Sequence, residues 1–188
     1  MMVPVENLSL FTHPLPTQLA DHGLRLYYAQ GDRPERWSHA ALLTALTLYT
    51  GRSYREADIL REPGKKPRLS DGTVQFSVTH SGAWWMVCLA PAHVPVGLDL
   101  QMHKATYSPA VAKRYFHPDE AALLTVAQAD HTDLALFFDL WCARESYAKY
   151  TGDGVVGIPK DYSTTCSPIP LHKLDFQTGY SLFLCTDL

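Results

Sequence analysis

Phe137–Val155, FFDLWCARESYAKYTGDGV, is the stretch that the rest of the chain serves. At helical spacing Phe137, Phe138, Trp141, Glu145 and Ala148 fall along one apolar-leaning stripe, with Lys149 one turn past Glu145. Such a stripe faces a protein interior, so Glu145 is a carboxylate where burial normally excludes one. A buried charge is costly unless a cation or a bound metal pairs with it. The plain alternative is a solvated i,i+4 Glu–Lys pair, worth about 0.2–0.5 kcal/mol. Gly152 and Gly154 end the helix, since glycine tolerates the left-handed C-cap conformation.

Upstream, three apolar runs predict strands. QFSVTH (75–80) alternates, with Phe76 and Val78 on one side and Ser77 and Thr79 on the other, and ends in a Ser81-Gly82 turn. WWMVCLA (84–90) is nearly continuous apolar, as in a strand covered on both faces. VGLDLQ (96–101) sets Val96, Leu98 and Leu100 against Gly97, Asp99 and Gln101. Together the three fit an antiparallel meander. LRLYYA (24–29) reads as a first strand, and a helix is expected from about Pro34 to Thr50, closed by Gly51, with Ala40, Leu43 and Leu46 on its buried side. Residues 1–23, broken by Pro4, Pro14 and Pro16, read as irregular. A short helix is expected within 104–116, then one over 117–127 started by Pro118 and Glu120 and broken near 129–133. KLDF (173–176) and YSLFLC (180–185) form a closing hairpin. This order predicts an α+β fold with two similar-sized halves, 1–102 and 103–188.

Composition narrows the function. With 188 residues, 46% of them apolar, the chain can bury a core. A net charge of −3 gives no global argument for nucleic acid, so any basic site is a local cluster. Cys88, Cys142, Cys166 and Cys185 lack metal-ligand spacing and read as free thiols of a reducing cytoplasm. No basic flank precedes an apolar run at the N-terminus, and AWWMVCLAPA is too short to span a bilayer, so neither secretion nor a membrane is expected.

Asp99 and Gln101 share one strand face, and Gly97 leaves room for a ligand to approach the backbone. With Glu145 they make a hard-oxygen set of the kind that holds Mg²⁺ together with ligand phosphates. A strand-end aspartate is the ordinary alternative for Asp99 alone. His80, Lys65, Lys66 and Arg36 supply phosphate-binding groups from separate elements. Each singly is as ordinary as any solvated cation; as a set they suit a diphosphate-bearing ligand.

GKKP, FSVTHSG, VGLDLQ, RYFHPDE, WCARESYAK and GDGV, in this order, resemble the Sfp-type 4′-phosphopantetheinyl transferases over roughly residues 33–160. The resemblance implies a pseudo-dimer of two α+β halves, each a small antiparallel sheet packed with helices, with coenzyme A and Mg²⁺ in the cleft between them. It implies Asp99 and Glu145 as metal-binding acids, with Gln101 at a third metal position. His80 and Lys66 would meet the coenzyme A phosphates and Arg36 the adenosine 3′-phosphate. Thr79 stands where the family usually has serine. Glu145 would serve as general base toward a serine of an acyl or peptidyl carrier protein, and Lys149 would stabilise the leaving phosphate. A cytoplasmic monomer is implied by analogy.

Three positions depart from the family pattern. Gln101 replaces a third acid, so weaker Mg²⁺ binding is expected. Arg144 replaces a lysine, keeping a charge offered to the cofactor with different donor geometry. A second N-terminal arginine is absent, with Ala45 near its position and Arg33 as a substitute. Gln101 also sustains a rival: a non-catalytic coenzyme A or carrier-protein binding module with a degraded metal site. A Mg²⁺-dependent phosphohydrolase ranks last, for want of a second water-activating metal site.

Overall fold

The computed structural model describes residues 9–129 and 133–188. The chain divides into two compact units, Met1–Val96 with Asp187–Leu188, and Gly97–Thr186.

The N-terminal unit carries a four-stranded antiparallel sheet of order β1-β2-β6-β5: β1 Phe11–His13, β2 Arg25–Gln30, β5 Val74–Ser81 and β6 Trp84–Pro91. Gly82, at a φ of 59°, turns β5 into β6, the position that two-residue hairpins give to glycine. β6 is buried from Trp85 to Ala90, as its continuous apolar run predicts. Helix α2 (Ser38–Thr50) packs Ala41, Leu42, Ala45 and Leu46 into a core with Phe76, Trp85, Val87 and Leu89. The expected face of Ala40, Leu43 and Leu46 is therefore rotated: Ala40 and Leu43 stay half-buried. Gly51, left-handed at φ 73°, closes the helix by donating to the Thr47 carbonyl at 2.8 Å. A separate two-stranded piece pairs β3 (Ile59–Leu60) with β4 (Arg68–Leu69).

The stretch expected to be irregular holds two elements, β1 and α1 (Thr17–Asp21). Pro14 and Pro16 fall at their boundaries, Pro4 lying outside the described residues: β1 stops before Pro14, and the Pro16 carbonyl accepts from the Leu19 and Ala20 amides of α1. Proline without an N–H is tolerated at such positions.

The C-terminal unit has a three-stranded antiparallel sheet of order β7-β9-β8: β7 Gly97–Met102, β8 Leu171–Lys173, β9 Tyr180–Cys185. The meander reading fails at its third strand. β7 pairs with β9, Asp99 opposite Phe183 and Gln101 opposite Ser181. Helices α3 (Pro109–Tyr115), α4 (Pro118–Ala129) and α5 (Asp133–Thr151) complete the unit. Of the break expected near 129–133, residues 130–132 lie outside the described residues. The expected helix start at Pro118 and Glu120 forms, with the His117 amide donating to Glu120 Oε2 at 3.2 Å.

Two features fix α5 against β7. A Cβ on Gly97 would overlap the Ser146 carbonyl oxygen and the Tyr150 amide, so only glycine permits this approach. Cys142 Sγ lies 3.1 Å from the Asp99 carbonyl and 3.3 Å from that of Ser181. Farther along, Ser181 Oγ donates to Asp139 Oδ1 at 2.6 Å and lies 2.8 Å from His103 Nε2, while Lys173 Nζ reaches Asp139 Oδ2 at 2.6 Å. Polar side chains of α5, β8, β9 and the end of β7 are thus tied into one network.

Candidate active site

Strand β7 and helix α5 build the site. Alternation on β7 turns Asp99 and Gln101 to one face, and helical spacing on α5 brings Glu145 and Lys149 to one side. Asp99 is 6% exposed. Lys149 Nζ donates to Asp99 Oδ1 at 2.7 Å and to the Leu98 carbonyl at 3.0 Å. The four sequence-predicted centre residues Asp99, Gln101, Glu145 and Lys149 all belong to the C-terminal unit.

Glu145 is half-buried rather than enclosed, which corrects the reading that it lies in the interior stripe. Its carboxyl is pushed up to about 7, first by burial and then by the Asp99 charge, with the Lys149 ammonium pulling the other way. A carboxyl whose charge is disfavoured by a neighbouring carboxylate is a group that a divalent cation would relieve. Among the described residues no group of three His, Cys, Asp or Glu could hold a metal. The residues that could offer oxygens to a cation here are the two acids and the Gln101 amide. That number fits Mg²⁺, which keeps several waters and takes further oxygens from substrate phosphates.

The raised pKa has a stability consequence with a definite sign. Between about 4.5 and 7 the folded protein keeps the Glu145 proton that the unfolded chain has lost. Stability of the metal-free protein therefore falls as pH rises through that window. Thermal unfolding of wild type and Glu145→Gln across pH 4.5–8 checks this: the variant is expected to lose part of the decline and to be the more stable of the two above pH 7. Parallel curves would contradict it.

Apart from Arg144, the remaining predicted residues lie in the N-terminal unit. His80 is exposed near the end of β5, beside Thr79, which is 4% exposed. Lys65 is exposed, whereas Lys66 is half-buried and donates to the Val96 carbonyl at 2.5 Å. Arg36 is exposed at the end of a 3-10 turn, Pro34–Arg36, and Arg33, also exposed, starts that turn at a φ of 51°. Ala45 is fully buried in the core.

Arg144 does not present its charge to a ligand. It is 1% exposed, its guanidinium donating to the Tyr162 and Pro159 carbonyls at 3.0 Å each and lying over the Tyr162 ring. The physical reason is helical period: Phe137, Leu140, Arg144 and Ala148 form the deeply buried stripe, and Glu145 stands about 100° round from it. Glu120, missed as more than a cap, is also buried; its Oε1 accepts from the amide and hydroxyl of Thr164 and from Ser163 Oγ. Arg144 and Glu120 together pin the 159–164 segment. Arg144→Ala is expected to cost about 3 kcal/mol, since two buried carbonyls lose their donors. Arg144→Lys should recover little of it, a single ammonium being unable to fork across both. Urea unfolding of the three proteins decides the point, and a near-neutral alanine variant would refute it.

Comparison with known proteins shows what the chain is similar to. Residues 95–182 match the family model described as the 4′-phosphopantetheinyl transferase superfamily, which covers the strand and helix that carry the site. The chain is 34% identical over 134 residues to the 4′-phosphopantetheinyl transferase Sfp of Bacillus subtilis strain 168, covering 63% of this chain and 57% of that protein. It is 27% identical over 163 residues to the 4′-phosphopantetheinyl transferase HetI of Nostoc, 84% of this chain and 68% of the relative. To the gsp 4′-phosphopantetheinyl transferase of Aneurinibacillus migulanus it is 27% identical over 129 residues, 62% of this chain and 53% of the relative. The chain is thus similar to several 4′-phosphopantetheinyl transferases, the resemblance its motif order carried. With several of these relatives the match spans about half their length.

Proposed function

We propose that the protein transfers the 4′-phosphopantetheine arm of coenzyme A to a serine of an acyl or peptidyl carrier protein. The observation that carries this reading is the Asp99–Lys149 ion pair beside a Glu145 carboxyl poised near neutrality, on the strand and helix that the superfamily model matches. The serine oxygen attacks the β-phosphorus of coenzyme A, the phosphoanhydride bond breaks, and adenosine 3′,5′-bisphosphate departs. Glu145 takes the serine proton, and a base whose pKa lies near the working pH suits that task. Lys149 is the cation positioned to follow the negative charge onto the leaving phosphate. Asp99, Glu145 and Gln101 would hold Mg²⁺, which when bound withdraws charge from the diphosphate oxygens.

The reading also takes in the family's two-halved arrangement, with coenzyme A in a cleft between related halves and Arg36, Lys65, Lys66, Thr79 and His80 toward its phosphates. Burial of Thr79 favours a supporting hydrogen bond over direct exposure to ligand. For the carrier protein, a cavity of about 730 Å³ edged by Lys113, His117 and Lys160 and walled by α3 and α4 supports docking along RYFHPDEAALLTVA. The segment around 128–133 is a further candidate for docking, and its residues 130–132 lie outside the described residues. A cytoplasmic monomer completes the proposal; among the described residues no helix is long and apolar enough to cross a membrane.

Gln101 favours one second reading, the non-catalytic binding module. Mass spectrometry of an apo carrier protein incubated with coenzyme A, Mg²⁺ and this protein separates the two. A phosphopantetheine mass increment is expected; tight binding of coenzyme A with no increment would overturn the transferase.

A further inference from the structure

The side of α5 that faces its sheet carries Asp139, Cys142, Ser146 and Lys149, spaced three, four and three residues apart. Each meets a strand. Asp139 Oδ1 accepts from Ser181 Oγ of β9 and its Oδ2 from Lys173 Nζ of β8, both at 2.6 Å. Cys142 Sγ reaches the Asp99 and Ser181 carbonyls, the Ser146 carbonyl abuts Gly97, and Lys149 bonds to Leu98 and Asp99.

These contacts differ in slack. Lys149 reaches its partners on a four-carbon stem that can follow a shifted helix. A thiol is a weak donor, so Cys142 resists a shift feebly. Gly97 sets how closely α5 approaches β7 rather than where the helix lies along its own axis. Asp139 and Ser181 are short side chains joined by a charge-assisted bond, with little length to give. Ser181 is fully buried and its one hydrogen is spent on Asp139, so His103 Nε2, 2.8 Å away, is the donor to Ser181 Oγ. The His103 ring is held in turn against Phe138 of α5, stacked at 5.1 Å and 9°. An aligned chain of donors thus runs from His103 through Ser181 and ends on the Asp139 carboxylate. Ser181 is also the cross-strand partner of Gln101, so the same serine joins α5 to the strand that carries Asp99.

We infer that Asp139 is a positioning residue: through Ser181 it fixes where α5 lies along its axis, and so sets Glu145 and Lys149 against Asp99. Glu145 follows Asp139 by about 9 Å along the helix, so Asp139 acts at a distance and touches no reacting atom. The inference rests on the transferase reading for the reaction that this register serves. Lys173 is dispensable to it, its side chain being 58% exposed and its ion pair correspondingly weak.

Asp139→Ala, Asp139→Asn, Ser181→Ala and Lys173→Met test it, read by carrier-protein modification and by alkylation of Cys142 with iodoacetamide, located by peptide mass. A displacement of about 1 Å can cost on the order of 10²-fold in rate, so the two alanine variants are expected to lose about 10–100-fold in kcat. Their KM for coenzyme A should hardly move, because the groups proposed for its phosphates lie mostly in the N-terminal unit. Asp139→Asn keeps an acceptor for Ser181 and should recover most of the rate, and Lys173→Met should match wild type. Cys142, fully buried in the wild type, should be alkylated at least about tenfold faster in the alanine variants alone, through local opening of the α5 contact. Wild-type kcat and Cys142 protection in both alanine variants would overturn the positioning role. So would an Asp139→Asn variant as slow as Asp139→Ala, or a rate loss that only tracks the folded fraction. If Asp139→Ala does not fold, Ser181→Ala carries the same comparison, since it leaves a carboxylate still reached by water. Absence of carrier modification by the wild type would overturn the transferase reading instead, and Cys142 alkylation would still decide whether Asp139 holds α5 in place.

Discussion

Glu145→Gln is expected to lower the rate of carrier-protein modification by a factor on the order of 10²–10⁴ while leaving the protein folded. On the proposed mechanism the substitution removes the proton acceptor for the serine and one of the two carboxylates that would hold the cation. Its shape is nearly unchanged, and the half-buried wild-type side chain is already neutral in part of the protein near pH 7. The fold thus meets at pH 7 a state it already samples. Asp99→Ala makes a less clean test. It leaves the Lys149 ammonium beside the Leu98 carbonyl without its carboxylate, so lost activity could reflect a disturbed α5–β7 contact. A single-turnover assay with a mass readout, run beside far-UV circular dichroism, distinguishes the outcomes. Wild-type turnover by a folded Glu145→Gln protein would remove the general base from the mechanism, and the metal site would lose its strongest argument.

What the amino-acid order disclosed about this site, and what it hid, follow from the range of each signal. Local period was legible: α5 carries the expected Glu–Lys pair one turn apart and ends at Gly152, and β7 alternates as VGLDLQ predicts. Pairing was not. β7 follows the β5–β6 hairpin in sequence yet bonds to β9, about eighty residues later, because alternation assigns faces to a strand and says nothing of its neighbour. Arg144 shows the opposite failure. Its place beside Glu145 in WCARESYAK invited a shared task, although period alone puts it with Phe137, Leu140 and Ala148. Glu120 was recognisable as a cap, but its second role depends on Ser163 and Thr164, more than forty residues away, and had no local mark. Asp99 and Lys149, which bond directly, sit at positions fixed by strand and helix period. Their meeting needed only that one element lie across the other.

That crossing depends on Gly97, where the second large effect is expected. The sequence marks the glycine as a place of close approach, and the approaching group is the backbone of α5 rather than a ligand. Gly97→Ala would set a methyl group against the Ser146 carbonyl oxygen and the Tyr150 amide, backbone atoms inside a helix that cannot rotate away as a side chain can. Relief requires α5 to lift from β7 and draw Cys142 and Lys149 away from their partners on Asp99 and Leu98. The expected cost is about 3 kcal/mol or more, at the upper end for overpacking, a large share of a small protein's stability. Gly179→Ala is the control. There φ is 83° and nothing lies within 4 Å of a new Cβ, so only the left-handed backbone penalty of about 1–2 kcal/mol applies. Urea unfolding of both variants reads the contrast directly, and carrier modification by Gly97→Ala should fall beyond what its folded fraction explains, because Asp99 and Lys149 are carried by the two elements forced apart. Equal destabilisation by the two alanines, with activity tracking the folded fraction in each, would mean that the close approach of strand and helix does not set the geometry of the site.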